Sequence, residues 1–141
     1  MAISASQRQR LLRRARAAMK HAYAPHSKFR VGAAILLRDG RVFSGCNVEN
    51  ASYGLTICAE RNAIFCAVAQ SSKKPEIIAA AVVNHLGVPC SPCGACRQVL
   101  AEFGQRAVVW YLGPAGIVQR TMQELLVDGF SLCPNEPDAT S

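Results

Sequence analysis

The chain is 141 residues long, half of them apolar and 18% charged, with a formal net charge of +7. That length is near the commonest size for one domain, and the balance is enough to bury a core, which excludes a disordered or low-complexity chain. No apolar run reaches the ~18 residues that span a bilayer and no basic-then-apolar leader opens the chain. The expectation is therefore one unprocessed cytoplasmic domain over residues 1–141, without a membrane partner, its core at about 6–130 and its tail at 131–141.

The first predicted element is a helix from an N-cap at Ser6 to Ala22, ended by Pro25. Leu11, Ala15, Ala18, Met19 and Ala22 recur at helical spacing, and Arg8, Arg10, Arg13, Arg14, Arg16 and Lys20 crowd the same stretch. This reads as an amphipathic surface helix with a solvated basic face. The stretch has no interleaved aromatics, so it makes a weak platform for stacked nucleic-acid bases, and nucleic acid is not an expected partner.

Phe29 to Leu37 is apolar and β-rich, and "RDGR" (38–41) turns it into a second strand, 42–47, as a hairpin. "NVENASYG" (47–54) reads as a loop. Helical spacing returns from Cys58 to Gln70, and Ile77–Val83 is a continuous apolar run suited to a strand buried on both faces. A further helix starts near Cys93 and stops at Gly104. Strands at 107–112 and 117–120 follow, and Thr121 with Glu124 makes a capping box for a last helix. The order α-β-β-α-β-α-β-β-α implies an α/β fold, a three-layer α-β-α sandwich around a mixed five-stranded sheet.

Seven cysteines (46, 58, 66, 90, 93, 96 and 133) are an odd number, and with no secretory signal they favour metal ligation over a disulfide framework. "CAER" (58–61) and "PCGAC" (92–96) each open a predicted helix, where partial positive charge stabilises thiolates. Cys93 and Cys96, at i and i+3, can grip one ion, and Cys58 supplies a third ligand if the two helix starts converge. Zinc suits such thiolates best. Three thiolates on Zn²⁺ leave one position and a net charge of about −1, which Arg61 or Arg97 could offset. Glu60, in the first turn after Cys58, can reach the open face as a proton carrier, although an acidic residue there also suits the helix dipole. Two other readings stay open on spacing alone. Cys90 could close a four-thiolate structural site, and C-x-x-C-x-x-C (90–96) resembles an iron–sulfur run that here lacks its further cysteine.

C-x-E followed by P-C-x-x-C is the signature of zinc-dependent nucleobase and nucleoside deaminases. "FRVGAAILL" (29–37), "GCNVENASYGLTICAERNAI" (45–64) and "SPCGACRQVLAEF" (91–103) together resemble the small cytidine deaminases of pyrimidine salvage. The resemblance implies a cytidine deaminase-like fold with one zinc per subunit, held by Cys58, Cys93 and Cys96, and Glu60 as the proton shuttle. It implies hydrolysis of cytidine and 2′-deoxycytidine. It places Phe29 against the pyrimidine, Asn47 and Glu49 on the ribose hydroxyls, and backbone groups of Ala59 and Ser91 on the base. It assigns Arg61 and Gln98 to the cysteine sulfurs. It also has Tyr53 and Phe130 completing a neighbouring subunit's site in a homotetramer. Phe29, Asn47 and Glu49 can each be read instead as ordinary strand and turn residues. The chain departs from the family at His26, where tyrosine is frequent, and in its tail, while Cys90 and Cys133 match no family role. Two rivals remain: a deaminase of a related substrate, either an amino-nucleoside of the blasticidin S type or a base within RNA, and a non-catalytic zinc module.

Overall fold

In a computed structural model, residues 2–132 are described. Cys133 and the remainder of the tail lie outside the described residues. The elements follow the predicted order: α1 (Ala5–Met19), β1 (Val31–Leu37), β2 (Val42–Cys46), α2 (Ala59–Ala69), β3 (Ile77–Asn84), α3 (Gly94–Phe103), β4 (Val108–Gly113), β5 (Gly116–Thr121) and α4 (Met122–Leu125). A single 3₁₀ turn, Tyr53–Leu55, interrupts the loop before α2.

The sheet order is β2-β1-β3-β4-β5. β1 pairs antiparallel with both β2 and β3, β3 runs parallel to β4, and β5 returns antiparallel. This is the mixed five-stranded sheet expected. Its two faces bury separate clusters. On one, Leu11, Leu12 and Ala15 of α1 meet Ala34, Leu36, Ala79, Ala81, Val83 and Trp110. On the other, Ala63, Ile64 and Ala67 of α2 and Leu100 of α3 meet Ile35, Leu37, Ala80 and Val109, with Met122 and Leu125 of α4. Alternate residues of β1 and β3 thus serve opposite layers, which is why both strands read as unbroken apolar runs.

Two boundaries differ from expectation. Ser4, not Ser6, caps α1: its Oγ accepts from Gln7 N at 3.1 Å while its own N–H donates to Gln7 Oε1 at 2.9 Å. Ser6 and Gln9 have the same S-x-x-Q spacing, but Ile3 packs into the α1-side cluster and anchors the earlier start. The helix also stops at Met19 and not at Ala22, because Tyr23 is drawn into a bridge with Val48. β1 begins at Val31 and not at Phe29, since Lys28 has a left-handed backbone (φ 60°) and the Asn47 side chain takes the Phe29 and Val31 backbone groups.

β2 and β3 are both antiparallel to β1 and therefore parallel to each other. Their carboxyl ends lie at one end of the sheet, and the helix that follows each begins there. In open α/β sheets ligands bind beyond the carboxyl ends of the strands.

Candidate active site

Cys58 is the N-cap of α2 and Cys93 the N-cap of α3. The expected convergence of the two helix starts is present. The Sγ atoms of Cys58, Cys93 and Cys96 all lie within 4.8 Å of one another. Cys58 and Cys93 are 3.8 Å apart at sulfur. Thiolates on one zinc at ~2.3 Å in tetrahedral geometry stand about 3.8 Å apart, so the donor set fits that ion. Cys96 is buried, Cys58 half-buried and Cys93 exposed. Cys90 stands outside the cluster; its N–H instead donates to Leu112 O at 2.9 Å. Among the described residues, then, the group is three sulfurs and not a closed four-thiolate set.

Backbone packing sets this arrangement. A Cβ on Gly45 of β2 would lie 2.5 Å from Ala63 N and 2.7 Å from Ala59 O, so the strand touches the start of α2 directly. Asn62 Nδ2 donates to Cys46 O at 2.8 Å, and Ala59 packs with Ala33 and Val82 beneath it. Arg97 ties down α3: Nε donates to Pro92 O at 2.7 Å, Nη1 to Leu125 O at 2.9 Å and Nη2 to Ser91 Oγ at 3.1 Å. Its guanidinium is therefore engaged with the loop before α3 and with α4. That leaves the charge-balancing place to Arg61, whose Nη2 donates to Cys58 Sγ at 3.5 Å.

The electrostatics follow from this crowding. The Cys96 thiol, with help from Arg61 and Cys93, holds the Cys58 thiol down to about 5. The same contact with Cys58, together with burial, pushes the Cys96 thiol above its ordinary range. Hydrogen bonding to Cys58 raises Arg61 further. Arg61 Nε is a buried donor with no partner among the described residues, as suits a cation placed for its charge beside several sulfurs. Burial pushes the Glu60 carboxyl up to about 7, opposed by its own backbone and reinforced by the charge of Cys58. A carboxyl poised near neutrality beside a metal-ligand set can both accept and release a proton.

The other expected site residues fall at the same end of the sheet or beyond it. Asn47 is buried; its Oδ1 accepts from Val31 N at 2.9 Å and its Nδ2 donates to Phe29 O at 2.8 Å. Glu49 accepts from His26 N at 2.9 Å, Ser27 N at 3.1 Å and the Ser27 hydroxyl. Those contacts, the hydroxyl first, hold its carboxyl below the usual range. Asn47 and Glu49 thus both act on segment 26–31, as their i, i+2 spacing requires. Phe29 is half-buried, with the His85 ring 6.1 Å away. Ala59 is buried and Ser91 exposed. Tyr53 and Phe130 are 75% and 70% exposed. Gln98 differs from expectation: its amide donates to Phe130 O at 2.9 Å and accepts from Phe130 N at 3.3 Å, so its polar atoms secure that segment and not the sulfurs.

Two neighbours of the site had no place in the sequence expectations: Ser27, which anchors Glu49, and His85, which accepts from Arg30 N at 3.0 Å beside Phe29. The His26 ring, at the position where the chain departs from the family, lies 5.6 Å from Tyr53. Only Ser27 had a signal, as a small hydroxyl residue in a turn after proline.

The family model for the cytidine and deoxycytidylate deaminase zinc-binding region matches residues 5–112. A cytidine deaminase of Halalkalibacterium halodurans is 48% identical over 126 residues, covering 88% of this chain and 94% of that protein. The solved cytidine deaminase of Burkholderia pseudomallei superposes with a TM-score of 0.79 at 46% identity, over 86% of this chain and 98% of that one. A blasticidin-S deaminase of Bacillus cereus is 30% identical over 106 residues, 71% of this chain and 76% of that protein.

Proposed function

The chain belongs to the family of zinc-binding cytidine and deoxycytidylate deaminases, and from that premise we propose that it hydrolyses the 4-amino group of free cytidine, and of 2′-deoxycytidine, giving the uridine and ammonia. The observation that carries this reading is a three-sulfur donor set with a buried carboxylate, Glu60, two residues from one of its members. Three protein ligands are typical of catalytic zinc, which keeps a fourth position for reaction, whereas structural sites are closed by four. Zinc, one per subunit, would be held by Cys58, Cys93 and Cys96, and when bound supplies the Lewis acidity that makes water nucleophilic near neutral pH.

Glu60 takes a proton from the attacking water and delivers it to N3 of the pyrimidine, which makes C4 electrophilic. After the oxygen has added to C4, Glu60 takes the remaining proton of the new C4 hydroxyl and passes it to the amine, so that the C4–N bond breaks, ammonia leaves and the C4 carbonyl forms. Arg61 offsets thiolate charge through Cys58. Phe29 packs on the pyrimidine, and backbone groups of Ala59 and Ser91 hold its edge. Asn47 and Glu49 grip the ribose hydroxyls. Asn47 keeps one N–H and one lone pair beyond those it spends on Phe29 and Val31, and Glu49 keeps acceptor capacity beyond Ser27. Their contacts with segment 26–31 set the ribose grip and Phe29 in one frame, so remote binding energy is spent on placing C4.

The finer reading is a homotetramer of single-domain subunits, working in cytoplasmic pyrimidine salvage, in which Tyr53 and Phe130 reach a neighbour's site. Support comes from their exposure and from the further exposed apolar residues Leu55, Phe65 and Val68 in the 3₁₀ turn and α2. Among the described residues no helix is long and apolar enough to cross a membrane. The deciding experiment follows cytidine absorbance on mixing with zinc-loaded protein, repeated with a chelator. Ammonia release that the chelator abolishes is expected; zinc-loaded protein inert toward cytidine and 2′-deoxycytidine would overturn the reading. Blasticidin S and a short RNA in the same assay test the neighbouring substrates, both expected to react more slowly than the free nucleoside.

A further inference from the structure

We propose that the outer face of α1 docks on the phosphate backbone of duplex nucleic acid, without regard to sequence. This goes beyond the deamination reading and does not depend on it. The first 38 residues contain nine of the 16 basic residues and none of the nine acidic ones. Most of that charge is on one element. Leu11, Leu12 and Ala15 are buried against the sheet, while Arg10, Arg13, Arg14, Arg16 and Lys20 are exposed on the opposite side of the same helix. From Arg10 to the C-cap Lys20 the stripe runs about 15 Å along the helix, a basic edge over about three turns.

Among the described residues no carboxylate pairs with it, and Arg10 Nη1 donates only to a carbonyl, Gly40 O, at 3.4 Å. The ion pairs among the described residues are Arg38 with Glu76 and Arg41 with Asp39, neither on α1. Arg8, at the start of the helix, stacks over Trp110. A second copy of the chain is a poor partner for the stripe. Asp39 and Glu76 are already paired, Glu49 is held by the 26–27 turn, Glu124 caps Thr121 and Glu60 is buried, which leaves Glu102 and Asp128 among the described residues. A lipid surface fits less well than a polyphosphate, because the apolar side of α1 is spent on the core and no large exposed hydrophobic residue lies on this helix. The missing aromatics argue against stacking on single strands, the mode weighed above, but backbone binding needs only cations. α1 covers the sheet face opposite α2 and α3, so an occupant there leaves the cysteine cluster clear.

The test is fluorescence anisotropy of labelled duplexes of about 20 base pairs, RNA and DNA, with full-length zinc-loaded protein between about 50 and 200 mM salt. Five phosphate contacts predict a log–log salt slope between about −4 and −5. The variant Arg10→Gln/Arg13→Gln/Arg14→Gln should reduce that slope by about three and weaken binding at least about tenfold. Its thermal midpoint, and not its turnover, controls for folding; if that midpoint drops, Arg16→Gln/Lys20→Gln gives a second reading with a slope reduced by about two. Absence of binding at the lowest salt, or binding unchanged in the folded variants, overturns the proposal. So does tighter binding to a single strand of the same length, or capture by phosphatidylserine vesicles without capture by duplex.

Discussion

Glu60 is a carboxyl that burial has lifted to about 7 from an ordinary 4.5, beside three sulfurs. Two outcomes follow for that residue. Glu60→Ala should retain one zinc per chain by elemental analysis and lose turnover by about a thousandfold or more, as removal of a positioned proton carrier does; turnover near wild type would remove Glu60 from the mechanism. The second concerns the metal-free protein. Between about 4.5 and 7 the folded state holds a proton on Glu60 that the unfolded state has lost, so this group's contribution to stability falls as pH rises through that window. Metal-free Glu60→Gln has no such penalty. It should match the wild type in urea melts below pH ~4.5 and exceed it by up to about 3 kcal/mol above pH ~7. A difference that does not grow with pH through this window would show that burial does not raise this carboxyl.

At the scale of elements, the site depends on how closely β2 approaches α2. The ligand Cys58 and the carboxyl of Glu60 both ride on the first turn of α2, which rests on Gly45. In Gly45→Ala the new methyl meets backbone, which cannot swing aside, so α2 must shift relative to α3. The expected loss is about 2–3 kcal/mol of stability, with weaker zinc binding in a chelator competition because Cys58 moves away from Cys93 and Cys96. Gly54→Ala is the control, since nothing lies within 4 Å of a Cβ there. Equal zinc affinity and equal melting in the two variants would show that this contact does not position the metal ligands.

For the whole molecule, the exposed Tyr53 and Phe130 belong with the proposed assembly and not with the core of one subunit. Light scattering is expected to give four subunits. Truncating both to alanine should cost little in the melting of a single subunit, because neither side chain is buried, yet lower kcat/KM by about tenfold or more by opening neighbouring sites. A monomer as active as the assembly would refute that arrangement. The basic outer face of α1 belongs to the same scale, since it would remain free while the α2 side of the sheet is covered.

Element order, the five-stranded mixed sheet and the choice of Cys58, Cys93 and Cys96 were legible in the chain itself. Hydrophobic period, turn residues and a C-x-E with P-C-x-x-C are local patterns, and local patterns survive in one dimension. The start of α1 was only half legible, because Ser4 and Ser6 both have a glutamine three residues on and Ile3 chooses between them by packing on distant strands. The partners of long polar side chains were not legible at all. Gln98 was expected on the sulfurs and closes instead on the Phe130 backbone, while Arg97 is drawn to Pro92 and Leu125 and leaves the charge balance to Arg61. Residue type and spacing, with the family resemblance, thus marked the three cysteines that the structure brings together; which hydrogen bonds the surrounding side chains make was decided only when the carboxyl ends of β2 and β3 came together, because a side chain takes the nearest unsatisfied group in space, whatever its distance along the chain.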